Sequence, residues 1–239
     1  EILRCLVGSE MCIRDRVKVD VAYNRTDVRI IGVSAGVSYG PLGCTHTTMH
    51  DFASMRALPN LTILAPCDAV QTEYLTDLLC QFTGPVYMRM GRGDVPPVYE
   101  AGEKFEIGKI KTVCEGTDAT IIACGEMVAP AKKAAELLQA EGISVRVLDC
   151  FTIQPMDTKT VEKALRETRA VVTVEEHSTR GGLGEAVSHI AAELRGSAPM
   201  RLLGLPEEVV IGKSQELFAY YGLTPEGISA AIKERLECE

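Results

Sequence analysis

Short apolar runs alternate with helix-period segments along most of this chain, and that alternation leaves few folds open. Residues 28–33, 61–65, 85–90, 119–124, 144–148 and 170–174 are brief and rich in Val, Ile, Leu and Ala, with Gly, Pro or polar residues at their ends. Such runs read as strands buried on both faces. Residues 47–58 have a helical period, as do residues 69–82, which open on Asp68 as N-cap. Val128, Ala131, Ala135 and Leu138 mark a further helix that stops at Gly142, a residue suited to the left-handed C-cap. Ala186, Val187, Ile190, Ala191 and Leu194 line one helical face, and Ile228, Ala231, Ile232 and Leu236 line another. Strands alternating with helices predict an α/β protein, with two units of mostly parallel sheet flanked by helices and wound by right-handed crossovers. Residues 91–102 are rich in Pro, Gly and charge and read as the linker between the units. Three strands precede it, so the first unit reads as an incomplete domain.

The first strand runs into a Gly- and Ser-rich loop, residues 34–45, that ends at His46 just before the next helix. Loops leaving the carboxyl ends of strands are where open α/β sheets place ligands. An imidazole there can donate or accept a proton near neutral pH. The plainer alternative is a histidine with a structural hydrogen bond at a helix start. His50 lies four residues on, but a zinc site would need a third ligand and only Asp51 is near, so no metal site is expected. Arg89 and Arg92 sit at the end of the strand at residues 85–90, where a guanidinium can grip a phosphate bidentately. Alternatively, one of them pairs at the surface with Asp94 or Glu100. The glycines at 181, 182 and 184 suggest a dinucleotide loop, but Val187 stands where the third glycine is needed, and that reading fails. Glu185 is placed to complement the following helix N-terminus.

A net charge of −8 without a basic block argues against a nucleic-acid partner. Nine cysteines, mostly within apolar runs and with no CxxC pair, read as free thiols of a reducing cytoplasm. No apolar stretch is long enough to span a membrane, and no signal peptide is visible. Residues 1–16 have neither helix nor strand period and read as a non-native segment, of the kind left by translated adapter sequence.

The chain resembles the transketolase-type thiamine-diphosphate enzymes, in the half that holds the pyrimidine-binding and C-terminal domains. The resemblance rests on Gly43-Cys44-Thr45-His46, Asp51-Phe52-Ala53-Ser54-Met55-Arg56, Leu58-Pro59-Asn60 with Ala65-Pro66-Cys67-Asp68, the segment 84–93, and the segment 174–184. It implies a partial pyrimidine-binding domain at 17–90, a linker at 91–104 and a transketolase C-terminal domain at 105–239. By resemblance, His46 is the catalytic residue that contacts the donor sugar, and Arg92, with Arg89 beside it, takes the substrate phosphate. Many transketolases carry an aspartate where this chain has Leu42, and a further histidine where it has Ser34; Ser34 and Tyr39 are therefore candidate substrate contacts. His177 matches a domain-interface position. The family's cofactor is thiamine diphosphate with Mg²⁺. The resemblance implies that an N-terminal partner subunit holds the diphosphate and metal, and that the glutamate binding the cofactor ring lies upstream of this chain. The implied protein is the C-terminal subunit of a split transketolase, cytoplasmic, in a homodimer or heterotetramer, acting on sugar phosphates in pentose-phosphate-type carbohydrate metabolism. The alternatives are a deoxyxylulose-phosphate-synthase-like enzyme, a 2-oxo acid dehydrogenase β-like subunit, and a non-catalytic structural fragment.

Overall fold

The computed structural model describes residues 13–237; of the segment set apart above, residues 1–12 lie outside the described residues. Two sheets form. The first contains β1 (Arg29–Val33), β2 (Thr62–Leu64), β3 (Val86–Met90) and β7 (Thr152–Gln154), in the order β1-β3-β2-β7. The second contains β4 (Lys111–Cys114), β5 (Ala119–Ala123), β6 (Val145–Asp149), β8 (Ala170–Ser178) and β9 (Met200–Leu205), in the order β4-β6-β5-β8-β9. All neighbours are parallel except β7 beside β2 and β4 beside β6. The helices are α1 (Ile13–Arg16), which runs into a π-helical turn, α2 (Asp51–Arg56), α3 (Ala69–Leu79), α4 (Val128–Ala140), α5 (Thr158–Glu167), α6 (Leu183–Glu193), α7 (Ser214–Tyr220) and α8 (Pro225–Glu237).

The period of two along each strand sorts its side chains between two cores. Leu64, Met88, Ile121, Val147 and Val172 enter one core, covered by α4 and α8. Their neighbours Ile63, Tyr87, Ile122, Leu148 and Val171 enter the other, which holds Val161 and Leu165 of α5 and Val187 and Ile190 of α6. Each core therefore runs through both sheets. β7 adds a physical link, because a segment from beyond the linker completes the first sheet. The linker itself is docked: Asp68 caps α3 through Oδ1, which accepts from Gln71 N at 2.8 Å, while its Oδ2 accepts from the backbone N–H groups of Val98 and Tyr99, each at 2.9 Å.

The helix expected over residues 47–58 is shorter. Thr48 forms a bridge with Gly36, and Met49 O accepts from Ser178 N at 2.9 Å, so those residues serve pairing and the helix starts at Asp51. α1, β4, β7, β9, α5 and α7 are not foreseen by the sequence reading; residues 13–16, read there as lacking any period, are helical and lead into the π-helical turn. α5 shows why. Only Val161, Ala164 and Leu165 are apolar and buried in an otherwise charged segment, a one-turn stripe easily read as loop.

Asp149 ends β6 fully buried, accepting from Gln71 Nε2 at 2.7 Å and Tyr99 OH at 2.8 Å. Burial without a cation raises its pKa to about 7. The folded chain therefore binds this proton more tightly than the unfolded one. The stability it gives is complete below about pH 4 and is lost as pH rises toward 7, at about 1.4 kcal/mol per pKa unit. Asp149→Asn keeps the shape and one acceptor but cannot ionise. Its stability relative to the parent should rise by a few kcal/mol, on the order of 4, between pH 4 and pH 7.5. Urea unfolding of both chains at the two pH values checks this; a pH-independent difference would contradict it.

Candidate active site

The loop between β1 and α2 starts with Ser34 at φ +68°, a left-handed backbone that a side chain adopts only at a cost in strain. What holds the loop comes from the second half of the chain. Glu176 Oε1, on β8, accepts from Val37 N at 2.7 Å, and Ser214 Oγ donates to Val37 O at 3.0 Å. Gly36 lies so close that a Cβ there would stand 2.2 Å from Glu176 Cδ, and one on Gly40 would stand 2.5 Å from Gly212 O. Glycine is required at both positions by close approach. The site loop is thus shaped by residues more than 130 positions away in sequence.

Three of the candidate residues form a row on this surface. The Arg92 guanidinium lies 4.6 Å from the centroid of the Tyr39 ring, a cation–π contact. Tyr39 and His46 meet edge to face with centroids 6.1 Å apart, and His46 Nδ1 is 2.8 Å from Thr45 Oγ1. Arg92 and His46 are exposed. Arg92 opens onto a cleft of about 520 Å³ lined also by Ser38, Glu126, Glu176 and Ser214. Leu42 is 54% exposed beside this row and has no group that can accept a hydrogen bond. Ser34 is half-buried at the end of β1 and has no side-chain contact with the row among the described interactions.

Arg89 is placed differently. It pairs with neither Asp94 nor Glu100; its side chain is buried where the two sheets meet. Its guanidinium stands 4.6 Å over the Phe52 ring and 3.6 Å from Asp51 Oδ1, and donates to Glu176 O. Phe52 in turn stacks on His177 at 5.0 Å. His177 Nδ1 lies 2.6 Å from Ser178 O and Nε2 accepts from Ala53 N at 3.3 Å, an arrangement that suits the neutral ring with its proton on Nδ1. Burial pushes its pKa down to about 4, so this histidine stays neutral as a junction residue between α2 and β8.

Glu175 supplies the helix-start carboxylate for α6. Its oxygens accept from Leu183 N and Gly184 N at 2.7 Å each, while Glu185 Oε2 accepts from Gly181 N at 2.9 Å. Glu175 and Glu176 are both buried, and burial raises each carboxyl to about 7. Neither stood out in the sequence: adjacent acids at the end of an apolar strand carry no sign of which way they face. Among the described residues, no group of three or more His, Cys, Asp or Glu could hold a metal ion. No helix among them is long and apolar enough to cross a membrane.

Comparison with known proteins places both halves. Residues 9–97 match the pyrimidine binding domain of transketolase, and residues 108–228 match the transketolase C-terminal domain. One of the subunits of the apulose-4-phosphate transketolase of Phocaeicola vulgatus is 49% identical over 222 residues, 92% of this chain and 70% of that protein. A putative transketolase C-terminal section of Methanocaldococcus jannaschii is 39% identical over 222 residues, 92% of this chain and 69% of that protein. The solved structure of a split-gene transketolase, an inactive β4 tetramer, superimposes with a TM-score of 0.85 at 36% identity, over 97% of this chain and 73% of that one.

Proposed function

The chain belongs to the transketolase family, and from that membership we propose that it works as the C-terminal subunit of a split transketolase, moving a two-carbon ketol unit between phosphorylated sugars. The observation that carries the reading of the site is the row of contacts Arg92–Tyr39–His46, whose Arg92 end opens onto a cleft. A guanidinium at one end suits a substrate phosphate, by charge-assisted hydrogen bonds. An imidazole at the other suits proton transfer at a substrate hydroxyl or carbonyl oxygen. Tyr39 and Ser34 are placed along the loop as further substrate contacts. Arg89 is buried behind the cleft, engaged by Asp51 and the Glu176 carbonyl, so the phosphate role falls to Arg92 in this proposal.

Enzymes of this family work with thiamine diphosphate, which supplies the carbanion chemistry. The described residues do not fit that cofactor by themselves. The buried carboxylates Glu175 and Glu176 already accept from backbone N–H groups, and no metal-binding cluster is present among these residues. In this proposal an N-terminal subunit holds the diphosphate and Mg²⁺, and this chain contributes the sugar side of a shared site. This chain works as a homodimer or, with its N-terminal partner, in a heterotetramer. The free, buried Cys67, Cys124 and Cys150 suit a reducing cytoplasm.

The test is product analysis. The chain reconstituted with an N-terminal subunit, thiamine diphosphate and Mg²⁺ should convert a labelled ketose phosphate and an acceptor aldose into an aldose phosphate two carbons shorter than the donor and a ketose two carbons longer than the acceptor. Decarboxylation of pyruvate by the same mixture, without ketol transfer, would favour the synthase-like alternative and overturn this reading.

A further inference from the structure

A carboxylate from the second sheet reaches under the loop that carries Arg92. The 3₁₀ turn Gly125–Met127 leaves the carboxyl end of β5, and its Glu126 side chain lies directly against Gly91. A Cβ on Gly91 would stand 1.2 Å from Glu126 Oε1 and 2.2 Å from its Cδ, so the backbone approaches as only glycine allows. The backbone N–H groups of Gly93 and Arg92 favour the charged form of this carboxylate, while its Oε1 is buried with no hydrogen-bond partner. Glu126 lines the cleft that Arg92 opens onto and also the neighbouring cleft past Gly91 and Gly93. Arg89 from β3 and Glu176 from β8 are the charged groups that face it across the junction.

The sequence of this loop makes such an anchor necessary. Arg92 stands between Gly91 and Gly93, and glycines on both sides leave a segment without stiffness of its own. A guanidinium on a loose loop must be ordered when it grips a ligand, and that lost freedom weakens binding. A half-buried carboxylate packed directly against Gly91 removes part of that freedom beforehand.

We propose that Glu126 is a positioning residue for Arg92: it anchors the 91–93 backbone from below and presents the guanidinium, already ordered over Tyr39, to the substrate phosphate. The proposal rests on the phosphate reading of the cleft given above. It adds a residue of the C-terminal domain to the machinery that recognises the sugar.

The experiment is a double-mutant cycle on the enzyme reconstituted with its N-terminal subunit. Glu126→Gln keeps the shape but offers one acceptor oxygen and places an N–H group among donors. It should raise KM for phosphorylated sugars about 5- to 10-fold, with a smaller effect on non-phosphorylated ones. In an Arg92→Ala background the same substitution should add little, because the group it positions is gone. Gly91→Ala, whose methyl overlaps Glu126 Oε1, should reproduce the KM increase and add little to the increase that Glu126→Ala causes by itself. That pair carries the test if Glu126→Gln lowers folding yield. An E126Q penalty that multiplies with that of R92A overturns the proposal. So does a G91A penalty unchanged by E126A. If R92A harms both substrate types equally, the phosphate reading fails; the coupling between positions 92 and 126 then still decides whether Glu126 positions Arg92.

Discussion

Given thiamine diphosphate and Mg²⁺ but no partner subunit, this chain is expected to transfer no ketol unit and to bind the cofactor more weakly than millimolar. Adding the N-terminal subunit should raise turnover from background into the range usual for enzymes, about 1–10³ s⁻¹. The reason lies in the residues. Glu175 and Glu176 are buried at the sheet junction with backbone partners of their own, and no metal-binding cluster exists among the described residues. Calorimetry on the isolated chain, followed by a coupled ketol-transfer assay with the partner titrated in, measures both parts. Micromolar cofactor binding by the isolated chain would end the proposal that the partner holds it.

In the reconstituted enzyme, Arg92→Ala and His46→Ala should fail in different ways. Removing the guanidinium takes away a charged hydrogen-bond contact worth about 1.5–3 kcal/mol, so KM for phosphorylated sugars should rise roughly 10- to 150-fold. Removing the imidazole takes away a group placed for proton transfer at the reacting centre, so kcat should fall by about 10²–10⁴. Non-phosphorylated sugars separate the two. With them the Arg92 penalty should shrink while the His46 penalty stays. Equal Arg92 penalties on both substrate types would move the phosphate contact elsewhere, and an unchanged kcat in His46→Ala would leave its hydrogen bond to Thr45 as its whole role.

Most of the parallel core was legible because buried strands and helices write their periods into the chain. β5 and the first half of β8 are almost wholly apolar, as strands covered on both faces usually are, and α4 carries its four expected apolar residues buried. Two of the elements that escaped have little apolar surface to declare. β7 is a three-residue strand, and α7 buries a single leucine. The site was legible as a loop and a set of residue types. The structure brings Arg92, Tyr39 and His46 into one row and sends Arg89 inward, although both arginines sit at the end of the same strand.

The sequence alone determined the α/β class, the main strands, the site loop and, through its ordered motifs, the family, since each is written in local period or in contiguous residues. Only the tertiary structure decided which charged groups face the site. Arg89 is buried because α2 and β8 close over it, Glu176 reaches Val37 across 139 positions, and Glu126 meets Gly91 from another sheet. The direction a side chain faces at a sheet junction depends on what packs against it. Those neighbours come from distant parts of the chain, where no local pattern records them.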